Sequence, residues 1–262
     1  MSQSARNPRR SRSTPKPLGL FPYSLEKANA PGFFTRQLLR LFPMYFIELV
    51  TFELRNARLR VLAPLRARRF SGQENLLVQV GCGPNGRDGW VNIDCFPRET
   101  VNCLHDVRHN LPFDDASVRG IFCEHVVEHL EYSQAIPTFL AECYRCLAPG
   151  GVLRIIVPDA GRYLRAYNAG GFDAFVPMRQ LVNKRDPWLR NTYHTPMELV
   201  NAVFHQGTEH HFGYDAETLE FVLRHAGFAT VTLQDFGQSH DPVMCLDLPE
   251  RATESLYMEA VR

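Results

Sequence analysis

Residues 76–94, LLVQVGCGPNGRDGWVNID, constrain the fold more than any other stretch of the chain. An apolar run of strand character meets a glycine turn, then re-enters a second apolar run that ends in Asp94. A strand feeding a glycine turn usually carries a ligand on that turn, because glycine leaves no Cβ between backbone and ligand. Dinucleotide-binding units place a full helix between such a turn and the next strand. Here only ten residues separate Gly83 from Asp94. That is near the minimum for joining parallel strands, so the first helix should be missing or reduced to a turn.

The remaining pattern alternates strands with helices. Strand-like runs cover 75–80, 90–94, 101–106, 118–124, 152–158, 229–235 and 255–261. Helical patterns cover 126–147, 163–169, 196–205 (with Thr195 as cap and Pro196 in the first turn) and 215–226, where Asp215 caps. The predicted fold is α/β, a doubly wound, mainly parallel, seven-stranded sheet of Rossmann-like type, its last two strands antiparallel. An N-terminal helical extension precedes it. The boundaries are a disordered basic tail at 1–20, a basic helical extension at 21–72 and the catalytic domain at 73–262, with 171–214 as an acceptor-site insertion.

Charge separates the same regions. Residues 1–70 carry 14 Lys/Arg and 3 Asp/Glu (14 − 3 = +11), whereas 71–262 carry 15 and 25 (15 − 25 = −10). Within the extension, Ile47, Val50, Leu54, Ala57 and Val61 recur at helical spacing, with Glu48, Thr51, Arg55 and Arg58 opposite. That stripe is expected to pack on the domain as a brace ending at Pro64. The alternative is an interfacial helix on an anionic membrane. The window 41–50 is too short and too charged at its end to span a bilayer. Arg and Ser in 1–16 without interleaved aromatics give no specific nucleic-acid signal. Seven scattered cysteines and no secretory segment point to a reducing, cytoplasmic location, and CYRC at 143–146 reads as helical filler.

The acids that end two strands carry chemistry. A carboxylate at Asp94 can accept both hydroxyls of a ribose, and Asp106, ending the third strand, can meet the exocyclic amine of an adenine. At this point VQVGCG, GWVNID, LHDVRHNLPFDDASVRGIFCEHVVEHL, CLAPGGVLRIIVPD and HHFGYDAETLEFVLRHAGF resemble class I S-adenosylmethionine-dependent methyltransferases. They are most similar to the type 11-like branch, whose glycine turn runs almost directly into a GW-N-D strand. The likeness covers roughly 74–262. It implies S-adenosylmethionine as cofactor, with Gly81, Cys82 and Gly83 on the methionine part, Asp94 on the ribose, and Asp106 with Val107 facing the adenine. It also accounts for the missing helix, since this cofactor has no pyrophosphate for a helix amino end to bind.

The implied reaction is methyl transfer to a small-molecule or glycan-type acceptor, on oxygen, with a base to take the hydroxyl proton. His125, at the end of the fourth strand, is a candidate base and cofactor contact, and His211 is the second candidate base. Asp159, His194, His205 and His210 are candidate acceptor contacts. The segment His125-Val-Val-Glu128-His129 also has zinc-hydrolase spacing, the rival from another class. Its position at a strand end argues against that; the four histidines at 194–211 could bind a metal, but no ligand spacing specifies one and none is assigned. A cofactor-binding module without transfer activity is the other alternative.

Overall fold

The computed structural model describes residues 44–178, 193, 195–206 and 209–262. The disordered tail expected at 1–20 and the candidate His194 lie outside the described residues. Seven strands form one sheet: β1 (Leu76–Val80), β2 (Val91–Asp94), β3 (Cys103–Leu104), β4 (Val118–Glu124), β5 (Leu147–Pro158), β6 (Thr230–Gln234) and β7 (Ser255–Val261). Their order is β3-β2-β1-β4-β5-β7-β6. The first five run parallel, while β7 pairs antiparallel with both β5 and β6. Buried apolar runs in β1, β4 and β5 suit a sheet covered on both faces.

Residues 81–90, which join β1 to β2, contain turns and no helix. Side chains do the work of the absent helix. Asn92 accepts from the Arg87 N–H through Oδ1 at 2.9 Å and donates through Nδ2 to the Arg87 carbonyl at 2.9 Å. Asn102 does the same one layer out, accepting from the Asn92 N–H at 2.8 Å and donating to the Trp90 carbonyl at 2.8 Å. Thr100 donates its hydroxyl to the Gly83 carbonyl at 2.6 Å. Loop backbone groups that would otherwise be orphaned are thereby paired.

Several boundaries differ from the sequence expectation. The helix expected over 126–147 is broken into a 3-10 turn at Val127–His129 and α2 (Ala135–Cys146). Between them the Glu131 carboxylate accepts from the Ser133 N–H, the Ser133 hydroxyl and the Gln134 N–H. Such local capture of backbone donors competes with helix. Pro137 falls in the first turn of α2, where a missing N–H costs little. The third strand shrinks to two residues. Helix α3 (Ala160–Ala169) starts three residues early because Asp159 caps it, accepting from the Arg162 N–H at 3.0 Å. Helix α4 (Pro196–Phe204) carries a Thr195/Glu198 capping box, and α5 (Ala216–His225) is capped by Asp215. Within 171–214, Leu199, Val203 and Phe175 pack on Tyr163 of α3 as a separate small core.

The largest correction concerns α1 (Met44–Phe70), which continues through Pro64. Arg66 donates to the Leu59 carbonyl at 2.9 Å beside the bond that Pro64 cannot make, and Phe70 is buried edge-on against Phe113. The helix also turns its other face to the domain. Asn56, Leu59 and Phe70 are buried, while Val50, Leu54 and Val61 of the expected apolar face are 40%, 64% and 77% exposed. Ion pairs decide the orientation. Glu53 pairs with Arg108, and Phe52 packs against Phe96 with ring centroids 6.0 Å apart.

Candidate functional site

The carboxyl ends of β1, β2 and β4 share one edge of the sheet, where ligands of open α/β sheets bind. After β1 the backbone turns at Gly81 and Gly83, whose φ angles of +66° and +51° favour glycine. A Cβ on Gly81 would overlap the Val126 Cγ2 methyl, whereas a Cβ on Gly83 would meet no atom within 4 Å. Gly83 therefore presents open backbone. Beside it, Asp94 accepts from the Gly83 N–H through Oδ2 at 2.9 Å and from the Phe96 N–H through Oδ1 at 2.8 Å. Each carboxylate oxygen keeps a second lone pair. Cys82 is buried in the same turn, its thiol pushed up to about 11 by burial and the Asp94 charge. Gly81, Cys82, Gly83 and Asp94 thus stand together at the carboxyl ends of β1 and β2.

Asp106, the acid expected to face the adenine, is engaged by an arginine. Its carboxylate is buried and accepts from Arg108 Nε at 2.8 Å and Nη2 at 2.9 Å. Burial raises its carboxyl, but the Arg108 hydrogen bonds outweigh that and hold it below the usual range. Arg108 also binds Glu53 of α1 at 2.6 Å, so an Asp106–Arg108–Glu53 chain ties the extension to the domain just past the third strand. Val107 is half-buried against the main core.

His125 follows β4 with φ +53°, in the left-handed region, and its N–H donates to the Ile156 carbonyl at 2.8 Å. That turn directs its ring between two groups. Nδ1 lies 3.1 Å from Glu128 Oε1, and Nε2 lies 3.1 Å from Ser255 Oγ. The line Glu128–His125–Ser255 has the order of a nucleophile relay, but Ser255 is fully buried on β7 and cannot reach a substrate. The zinc-hydrolase pair is also not formed. Residues 127–129 make one 3-10 turn, and the ring of His125 points to Ser255, so the two imidazoles do not stack along an α-helix.

A group brought together by the fold was only half legible beforehand. His129 and His210 meet edge-on, with centroids 4.7 Å apart, next to buried Glu128. The N–H of His211 donates to the Glu128 carbonyl at 2.7 Å, while its side chain is exposed. Among the other candidates, His205 is an exposed C-cap of α4, and Asp159 is engaged as a helix cap and ion partner of Arg162 at 3.0 Å. Cys143 and Cys146 are free and buried, as filler residues should be.

These residues fit S-adenosylmethionine. Open backbone at Gly83 leaves room against the turn, and Asp94 beside it offers carboxylate lone pairs to ribose hydroxyls. Residues 92–155 match the profile of a family described as "Methyltransferase domain". The solved structures similar to this chain include a SAM-dependent methyltransferase from Archaeoglobus fulgidus. It is 19% identical, with 84% of this chain and 100% of that chain covered and a TM-score of 0.41. Another is the 1,6-didemethyltoxoflavin-N1-methyltransferase of Burkholderia thailandensis, solved with 1,6-didemethyltoxoflavin and S-adenosylhomocysteine. It is 15% identical, with 90% and 93% covered and a TM-score of 0.39. No curated protein matches. The family match runs from β2 into β5, about a quarter of the chain, and the glycine turn beside Asp94 lies just ahead of it at the same sheet edge.

Proposed function

We propose that the protein methylates an oxygen of a small-molecule or glycan-type acceptor. When bound, S-adenosylmethionine supplies a methyl group already activated on its sulfonium. The chain then has to align the acceptor and take a proton from its hydroxyl. The observation that carries this reading is the concentration of proton-accepting groups at the carboxyl end of β4. His125, Glu128, His129 and His210 gather there, and Val126 between them packs on the glycine turn. His125 and the exposed His211 are the candidate bases. Asp94 with Gly81, Cys82 and Gly83 holds the cofactor. A module that binds cofactor without transfer would not need this cluster.

Incubation with methyl-labelled cofactor and pools of hydroxylated acceptors, sugars included, tests the reading. Label in a product that releases methanol on mild base marks an ester, and alkali-stable label on a hydroxyl marks an ether. Label only on amine acceptors would refute the choice of oxygen.

The outward apolar stripe of α1 (Leu49, Val50, Leu54, Val61, Leu62 and Leu65), with the +11 charge of residues 1–70, supports peripheral contact with the anionic face of a membrane. No described helix is long and apolar enough to cross one. The proposed location is cytoplasmic. Flotation with anionic liposomes that persists after deletion of 1–70 would exclude this role for the extension.

A further inference from the structure

One donor atom from each of Glu128, His129 and His210 lies within 4.8 Å of the others. The surrounding hydrogen bonds decide what each donor can do. His129 Nδ1 lies 3.0 Å from the Glu209 carbonyl and His210 Nδ1 lies 2.6 Å from the Val203 carbonyl. A carbonyl can only accept, so in both rings Nδ1 carries the proton. In the neutral imidazoles this leaves Nε2 as a lone pair. Glu128 is buried, and neither of its side-chain oxygens accepts an aligned hydrogen bond among the described residues. His125 Nδ1 pairs with Oε1 at 3.1 Å, which leaves Oε2 as the carboxylate oxygen open to a further partner. Arg251, which acts on Glu128 electrostatically, gives its Nη1 to Glu254 at 2.8 Å.

Each ring thus keeps its Nε2 free of those carbonyls, and Glu128, paired with His125 through Oε1, keeps Oε2 without a hydrogen-bond partner among the described residues. Burying such a set is costly unless a cation joins it. Histidines that bind metals characteristically pin their other ring nitrogen on a carbonyl or carboxylate, as both rings do here. Two imidazoles and one carboxylate suit a first-row divalent ion and leave coordination positions open, whereas a calcium or magnesium site would be richer in oxygen.

We infer that Glu128, His129 and His210 bind a first-row divalent metal ion, where the sequence alone assigns none. The ligand set differs from the zinc-hydrolase motif. His125 is not a ligand but pairs with Glu128, and the third ligand comes from a segment about eighty residues further on. The ion's open positions take an oxygen of the methyl acceptor. That assignment rests on the methyl-transfer reading, whereas ion binding does not.

The test uses the full chain, stripped with a chelator and titrated with Co²⁺ and with Zn²⁺ by calorimetry and cobalt absorbance. About one ion per chain should bind. Glu128→Gln and His129→Gln should each weaken binding by about tenfold or more. Both variants should keep S-adenosylhomocysteine affinity within about twofold, because Asp94 and the glycine turn are untouched. His129 is only half-buried, so its variant carries the test if Glu128→Gln fails to fold. Absence of Co²⁺ and Zn²⁺ binding, or unchanged affinity in the variants that fold, would overturn the metal site. Metal binding without any S-adenosylhomocysteine binding would instead leave the site standing and refute the methyl-transfer reading.

Discussion

Gly81 and Val126 meet with no space for a side chain between them: a Cβ on Gly81 would overlap the Val126 Cγ2 methyl. The contact locks the glycine turn after β1 to the segment after β4, so the two halves of the candidate site are held in register. Gly81→Ala therefore faces two separate penalties. A positive φ of +66° strains any side chain, at about 1 kcal/mol, and overpacking adds about 1–3 kcal/mol. Val126→Ala in the same chain should recover the overpacking part and not the backbone part. Urea denaturation of the single and double variants measures both. Full recovery, or no loss in Gly81→Ala, would mean that the turn is not held this way.

Arg108 is expected to matter far more for stability than Glu53, although they share an ion pair. Arg108→Ala leaves Asp106 buried without its main partner and should cost about 3 kcal/mol. Glu53→Ala removes a partly exposed partner and should cost at most about 1 kcal/mol. The acid dependence has a definite sign. Arg108 holds the carboxyls of Glu53 and Asp106 below their ordinary values in the folded state. Their contribution is thus complete above about pH 4.5 and lost as pH falls through the lowered values. His105, lowered by burial, adds loss in the same direction from about pH 6.5 downward. Urea midpoints measured between about pH 7 and 3 should fall, and should fall less steeply in Arg108→Ala. Equal slopes would contradict the ion chain.

His125→Ala and His211→Ala separate the candidate bases. Loss of a true general base should lower turnover about a hundredfold while S-adenosylhomocysteine affinity stays nearly constant. His125 touches Glu128 and Ser255 in the folded protein, whereas the His211 side chain is exposed. The larger effect is therefore expected at His125. Single-turnover assays with the identified acceptor measure it. Full turnover in both variants would remove histidine from the proton transfer.

The sheet was readable because its evidence is local. Apolar runs, Gly81 and Gly83, and the caps Thr195 and Asp215 each declare themselves within a few residues. The strand at 118–124 and the strand at 255–261 fall where alternating and buried patterns place them. What escaped depends on partners distant in the chain. Helix α1 has apolar residues on more than one side, and Arg108, about fifty residues later, selects its buried face. Nearer by, Asp106 reads as a ligand-facing strand-end acid, and only the fold shows that Arg108, two residues on, takes its carboxylate. His210 carries no spacing signal toward His129, since only the folded path from α4 to α5 brings their rings together. The break at 130–134 was hidden by a helix-like apolar pattern that the side-chain turn at Glu131 overrides.

The central claim is that the glycine turn and Asp94 hold S-adenosylmethionine, and calorimetric titration with S-adenosylhomocysteine tests it most directly. The wild-type chain should bind it. Asp94→Asn keeps an acceptor for one of the N–H groups of Gly83 and Phe96 but loses the carboxylate charge toward the ribose hydroxyls. Charge-assisted hydrogen bonds contribute about 1.5–3 kcal/mol each, so affinity should fall at least about tenfold with melting temperature nearly unchanged. Equal affinity in wild type and Asp94→Asn, or no binding by the wild type, would contradict the account.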